Sequence, residues 1–328
     1  MNLVLPIIIL ILGFVILVKG ADLFVDGASK IARYFKVSTL IIGLTVVAFG
    51  TSLPEAAVSI TSALKGIDDV AFGNVIGSNI FNMLPILGIS AMVFPLAVNK
   101  DLLKRDFPIA LLTVAMLIPM YYFIGDGNKI TRLEGVFILM FFIVFLAILF
   151  MHAKKHPESS DILLSAGDTI TEPASINLKK SSIVTLIGMI GIASGGMMVT
   201  EGAKTIAISL GMSEFLVGLT IVSIGTSLPE LVTSIVASMK KESEIAIGNI
   251  VGSNIFNVLF ILGLAATISG VKINAQAIYD IVFVVFVTVI VFLFAFTRKK
   301  ISRLEGLFLC LIYLGYFAFI VSRDIGLL

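Results

Sequence analysis

The stretch GTSLPEAAVSI, Gly50 to Ile60, sets Pro54 and Glu55 side by side in a run apolar enough to cross a membrane. A carboxylate at bilayer depth is costly. A proline removes one helical hydrogen bond and crowds the turn before it. The segment returns as GTSLPELVTSI, Gly225 to Ile235. A costly feature that occurs twice has a use, and that use decides the fold.

The duplication reaches well beyond the motif. Residues 43–91 align with 218–266 at a constant offset of 175 without a gap, and 27 of the 49 positions are identical. Gly20/Gly195, Gly27/Gly202 and Ser38/Ser213 continue the match upstream, and Asp26 aligns with Glu201. RLEGVF at Arg132 and RLEGLF at Arg303 echo each other at an offset of 171, so a small indel separates them. Self-similarity on this scale describes architecture before it describes local structure.

Composition gives the solvent. The 328 residues are 58% hydrophobic and 13% charged, with a mean hydropathy of +1.11. A soluble domain is about half apolar and about a quarter charged. The chain therefore reads as an all-α polytopic membrane protein. Its one cysteine, Cys310, excludes an intrachain disulfide and a cysteine metal site. His152 and His156 fall at the end of a span and in the gap after it, as interfacial side chains. The 25 phenylalanines read as lipid-facing bulk. The first apolar run, Leu3 to Val18, lacks the basic n-region of a signal peptide. Its neighbour Gly20 has a counterpart in Gly195, so the run is expected to belong to the mature architecture.

A span needs about 20 mostly apolar residues. The expected spans are 2–28, 38–64, 70–94, 107–124 and 133–152, then 182–204, 214–239, 244–269, 276–296 and 304–322. That is ten transmembrane helices in two five-helix repeats, 1–152 and 182–328, joined by a polar linker, 153–181. Five is odd, so the second repeat enters the membrane from the opposite side. The repeats are then inverted, a plan in which transporters bind ions between the repeats near the midplane, on broken helices. With the N-terminus outside, 16 of the 23 Lys and Arg fall in inside gaps and six in outside ones. The positive-inside rule then puts both termini outside the cell and the linker in the cytoplasm, with the protein in the plasma membrane. The linker carries Pro157 and Pro173 and shows no calcium-loop spacing.

Chemistry concentrates in four segments. Pro54 has no N–H for the carbonyl of Gly50, so oxygens around 47–51 become available as ligands; Pro229 acts likewise on Gly225. Irregular backbone survives at membrane depth only where it lines a cavity or is buried in protein. Thr51, Ser52 and Glu55 share a helical face with those carbonyls, as do Thr226, Ser227 and Glu230. In GNVIGSNIFN (73–82) and GNIVGSNIFN (248–257), Asn74, Ser78 and Asn82 step by four and form one polar stripe. Gly73 and Gly77 form a small-xxx-small pair for close helix contact. Ser78 and Asn82 are expected to face Glu55, and Ser253 and Asn257 to face Glu230. Two carboxylates, hydroxyls, amide oxygens and carbonyls, with no thiol or imidazole, make a hard-oxygen cation site. Two negative charges match one divalent or two monovalent cations. Left empty and about 4 Å apart, they would repel by about 4 kcal/mol at an effective dielectric of about 20. One of them would then take a proton, or the empty site would resist moving through the membrane, and that resistance is a physical reason for obligatory exchange.

At these residues the sequence resembles the calcium/cation antiporter superfamily, in particular its prokaryotic sodium/calcium exchanger branch. The paired GTSLPE and GNxxGSNIFN segments carry the resemblance, which covers nearly the whole chain. It implies exchange of cytosolic Ca²⁺ for extracellular Na⁺ without ATP and without a cofactor. It implies Glu55 and Glu230 as the calcium carboxylates, with backbone carbonyls of Thr51 and Thr226. Ser52, Ser78, Ser227 and Ser253 would help form flanking sodium sites, with carbonyls near Ala48 and Ser223. Asn82 and Asn257 would hold the central position. Many relatives carry aspartate where this chain has Asn257, so the site has one ionisable group fewer, and potassium dependence is not expected. The large regulatory loop of animal members is absent.

Other readings remain beside this one. Coupling of Ca²⁺ to H⁺ on the same fold is open, because paired carboxylates can carry protons. A channel would pass ions without a counter-ion. An intramembrane hydrolase using Ser52 or Ser227 fails for want of a base, since no His or Lys sits at comparable depth to activate the serine. Lipid, Ca²⁺ and Na⁺ (or H⁺) are the expected partners; no nucleic acid or protein partner is implied.

Overall fold

The computed structural model of the chain describes residues 3–123, 129–155, 176–211 and 223–324. His156, most of the linker 153–181 and the start of the expected span at 214 lie outside the described residues.

The first helix, α1 (Val4–Phe35), runs seven residues past the expected end at 28. Its last turns are polar but partnered. Ser29 donates to Glu242 (3.0 Å) and Arg33 pairs with the same carboxylate (3.7 Å). One turn earlier, Lys240 reaches Asp22 (2.8 Å) and Asp26 (2.5 Å). The helix stops at Lys36, which adopts the left-handed conformation.

The next apolar stretch breaks where the sequence breaks. α2 (Thr39–Thr51) and α3 (Leu53–Leu64) meet at Ser52 and are bent by 52°. Pro54 falls in the first turn of α3, where a missing N–H is no loss because that turn has no acceptor for it. The turn into α4 (Asp68–Val93) needs a positive φ, which Gly66 supplies at 71°. Then come α5 (Phe107–Ala115), α6 (Leu117–Phe123) and α7 (Arg132–Lys155). The second half repeats the order as α8 (Leu178–Ser209), α9 (Ser223–Thr226), α10 (Leu228–Met239), α11 (Ser243–Ser269), α12 (Ala277–Arg298) and α13 (Arg303–Asp324). The break recurs at Ser227, whose φ and ψ of −90° and 5° match the −83° and 7° of Ser52. Among the described residues, seven helices are long and apolar enough to cross a membrane, or eight if the bent α2/α3 pair is counted as one span.

The polar-rich spans are central and the greasy ones surround them. Of their apolar windows, α4 and α11 bury 83% and 94%, whereas α1, α7, α8, α12 and α13 bury 11–33%. Phe137, Phe141, Phe150 and Phe296 are exposed on that outer surface. Phe24, Phe72 and Phe107 are buried, so phenylalanine also fills the core and is not only lipid-facing bulk.

α1 and α8 lie against each other along a seam of glycines. A Cβ at Gly188 would stand 2.5 Å from the backbone nitrogen of Phe24, and one at Gly195 2.5 Å from that of Leu17. Close contact of this kind also occurs at Gly248, against Gly43, and at Gly252, against Leu44. For Gly73 and Gly77, a Cβ meets nothing within 4 Å among the described residues; the repeat places their counterpart partners at 215–219, outside the described residues.

Two small sheets tie the halves together. β1 (Leu96–Ala97) pairs with β4 (Lys300–Ile301), and β2 (Lys129–Ile130) pairs with β3 (Val271–Lys272). β1 and β3 are equivalent by the offset of 175, and β2 and β4 by 171. Each strand therefore pairs with the other half. Short two-residue strands were not visible to hydropathy, which sees only the ends of apolar runs.

Candidate cation site

Ser52-Leu53-Pro54-Glu55 has the spacing of a capping box, in which the serine caps the helix and the glutamate caps it back. The cap is not made: the Ser52 side chain accepts no hydrogen bond from α3. Its hydroxyl instead donates across the molecule to Glu230 Oε1 (2.8 Å) and approaches Ser253 Oγ (3.0 Å). The mirror arrangement has Ser227 donating to Glu55 Oε1 (2.9 Å), with Ser78 Oγ at 3.2 Å. Each carboxylate stands in the first turn of a new helix, α3 or α10, where the positive end of the helix dipole favours negative charge.

These contacts correct the expected grouping. Thr51 and Ser52 share a segment with Glu55 but do not serve it. Ser52 serves Glu230, and the Thr51 hydroxyl contacts Asn249 Oδ1 (3.0 Å) and its own carbonyls at Val47 and Ala48 (3.1 and 3.3 Å). A bend of 52° at Ser52 turns the two sides of the motif toward different partners. Nor is the Ala48 carbonyl left vacant by the break, because the Ser52 N–H donates to it (3.0 Å). Ser78 and Ser253 do lie beside the glutamates of their own halves, each through the serine of the other half. The side chain of Ser223 lies outside the described residues.

Asn74 and Asn249 hold the breaks from behind. Asn74 Nδ2 donates to the Glu55 carbonyl (3.2 Å) and Ser59 Oγ (2.8 Å), while its Oδ1 lies 3.5 Å from the Thr226 hydroxyl. Asn249 Nδ2 donates to the Glu230 carbonyl (3.4 Å) and Ser234 Oγ (3.0 Å). Sequence reading placed Asn74 on the polar stripe but gave Ser59 and Ser234 no part. Their signal was available, since both are serines retained in the repeat at the offset of 175.

The central asparagines complete the geometry. Asn82 Nδ2 donates to Asn254 Oδ1, and Asn257 Nδ2 donates to Asn79 Oδ1, both at 3.0 Å. Both donors open a widened π-helical turn, Asn82–Ile86 and Asn257–Leu262. Pro85 lies in the first turn, but Phe260 holds the equivalent place in the second, so proline is not the common cause. Turns of this kind occur often at functional sites.

Among the described residues, buried side-chain oxygens without a hydrogen-bond partner include four that the repeat relates in pairs, Glu55 Oε2, Glu230 Oε2, Asn82 Oδ1 and Asn257 Oδ1; Ser90, Glu134 and Thr233 each keep another. Both carboxylates and both amides are 1% exposed. Orphaned buried acceptors are rare and costly. Here all four are acceptors that a cation would satisfy, and they are related in pairs by the repeat.

A family model described as sodium/calcium exchanger protein matches residues 5–151 and 180–322. The chain belongs to the sodium/calcium exchanger family. It is 38% identical over 313 residues to CaxA of Alkalimonas amylolytica, covering 94% of this chain and 96% of that one. It is 30% identical over 338 residues to the sodium/calcium exchanger MaX1 of Methanosarcina acetivorans, covering 94% and 96%. A solved structure of the sodium-calcium exchanger NCX_Mj superposes with a TM-score of 0.82 at 31% identity, covering 97% of this chain and 99% of that one. The exchanger family is a class of transporters, not of enzymes. Family and fold make this exchanger a multi-pass membrane protein and a cation antiporter.

Proposed function

We propose that the protein exchanges Ca²⁺ for Na⁺ across the plasma membrane by alternating access. The ions bind near the membrane midplane, between two inverted repeats of five helices each. α5 with α6, and α9 with α10, supply the crossings that complete ten. Both termini face outside and the linker 153–181 faces the cytoplasm.

The observation that carries the reading is the set of four orphaned oxygens, on Glu55, Glu230, Asn82 and Asn257. Two carboxylates neutralise one Ca²⁺ or two Na⁺, so the loaded site crosses the low-dielectric region uncharged. The empty site holds two like charges without a counter-ion and resists the same movement. Hydroxyls of Ser52, Ser78, Ser227 and Ser253 flank the carboxylates and supply further oxygen ligands for Na⁺. Carbonyls at Thr51 and Thr226, and near Ala48 and Ser223, fill out the shell.

Uptake of ⁴⁵Ca into proteoliposomes loaded with Na⁺, at clamped pH on both sides, tests the counter-ion. Uptake that collapses when the Na⁺ gradient is removed is expected. Uptake driven only by a pH gradient would replace Na⁺ with H⁺ on the same fold, and flux without any counter-ion would indicate a channel.

Asn257 separates charge from position. Asn257→Asp gives the site a third carboxylate at the place of an orphaned amide oxygen. The expected result is an altered Na⁺ and pH dependence of calcium uptake in a protein that still assembles. An unchanged coupling profile would remove Asn257 from the ligand set.

A further inference from the structure

We infer that Asn79 and Asn254 are positioning residues that fix which end of the Asn82 and Asn257 amides faces the cation site. The inference rests on the cation-site reading above and explains how two neutral side chains become obligatory oxygen donors.

An asparagine can present either an oxygen or an N–H₂ group, and the two ends are nearly the same size. Only the oxygen can coordinate a cation; the N–H₂ end would repel it. Something must therefore set the polarity of each amide. The chain of hydrogen bonds begins at a group that cannot be reversed. Asn254 Nδ2 donates to the backbone carbonyl of Asn79 (3.3 Å), and a carbonyl can only accept. That contact turns Asn254 Oδ1 toward Asn82, which must answer with Nδ2 (3.0 Å). Asn82 Oδ1 is thereby left pointing away, buried and without a partner. The reciprocal chain runs from the Asn254 carbonyl to Asn79 Nδ2 (3.3 Å), then from Asn79 Oδ1 to Asn257 Nδ2 (3.0 Å). It leaves Asn257 Oδ1 orphaned in the same way.

Two features mark this as more than packing. Asn79 and Asn254 are 0% and 1% exposed, and each makes both of its contacts to the opposite half. Each relay therefore exists only while the third spans of the two repeats, α4 and α11, lie against each other. Within each relay every side-chain nitrogen and oxygen has a partner except the terminal oxygen, so each relay ends on one unmet acceptor, the atom the proposed site takes as a ligand.

The test is the Ca²⁺ dissociation constant of the purified full chain, measured by ⁴⁵Ca binding in two backgrounds. In the native background Asn254→Leu removes the acceptor that holds Asn82, and binding is expected to weaken about tenfold, the scale of a buried polar group left wrongly paired. In an Asn82→Asp background both ends of residue 82 are oxygens, so its orientation no longer matters. There Asn254→Leu is expected to change binding less than about twofold, the scatter within which independent substitutions simply add. Equal weakening in both backgrounds would overturn the relay and leave Asn254 with a packing role. If Asn254→Leu does not assemble, Asn254→Ser takes its place, being small and too short to reach Asn82. Failure of the cation site itself reads differently: Asn82→Leu and Glu55→Gln would then bind Ca²⁺ as the native protein does.

Discussion

Glu55→Gln and Glu230→Gln each abolish calcium exchange while the protein still assembles. The fold tolerates the change because glutamine keeps the oxygen that the crossing serine needs: Ser52 can still donate at residue 230, and Ser227 at residue 55. The function does not tolerate it, for two reasons. The amide puts an N–H₂ group or an uncharged oxygen where an unpaired carboxylate oxygen now stands. The site also falls from two negative charges to one, so a bound Ca²⁺ would leave a net positive charge in a buried place. One carboxylate at about 4 Å is worth about 4 kcal/mol per unit of cation charge at an effective dielectric of about 20, so about 8 kcal/mol toward Ca²⁺ before desolvation. Even half of that corresponds to about 1,000-fold in affinity. The measurement is Na⁺-driven ⁴⁵Ca uptake, with size-exclusion chromatography to show assembly. Because each glutamate is served by the opposite half, both substitutions should be equally damaging; native transport in either would remove that glutamate from the site.

Gly188→Leu is expected to prevent assembly altogether. A Cβ at this position would lie 2.5 Å from the Phe24 nitrogen and 2.8 Å from the Gly20 oxygen, both backbone atoms of α1. No side-chain rotation relieves a clash with backbone, so the two longest helices must separate. Overpacking a core commonly costs about 1–3 kcal/mol when side chains can give way, and here they cannot. Gly315→Ala is the control. Gly315 lies in α13, is exposed and has nothing within 4 Å of a Cβ. There alanine should stabilise the helix by up to about 1 kcal/mol. Thermal stability and monodispersity in detergent read both variants. A folded, fully stable Gly188→Leu protein would contradict the observed closeness of α1 and α8.

How much of this was readable beforehand differs element by element. The break in α2/α3 was legible, because Pro54 is incompatible with an unbroken helix. Its recurrence at Ser227 followed from the repeat. The central placement of α4 and α11 was legible as well: their Gly, Ser and Asn content is too polar to face lipid. The extension of α1 to Phe35 was not, since hydropathy fades at Lys30 while the partners that hold the polar turns, Lys240 and Glu242, lie more than 200 residues away. The strand pairs escaped for the same reason.

The sequence by itself determined the membrane setting, the doubled architecture and the residue types of the site. Each of these follows from composition or from self-similarity, which are properties of the chain alone. Only the tertiary structure decided who partners whom. Local spacing grouped Thr51, Ser52 and Glu55 on one face, yet Ser52 serves Glu230 and Ser227 serves Glu55. It also decided which end of each asparagine is free, because amide polarity is set by a backbone carbonyl in the opposite half. A periodicity argument sees one helix at a time. The contacts that shape this site cross between helices about 150 to 200 residues apart in sequence, where hydrogen-bond geometry, and not spacing, makes the choice.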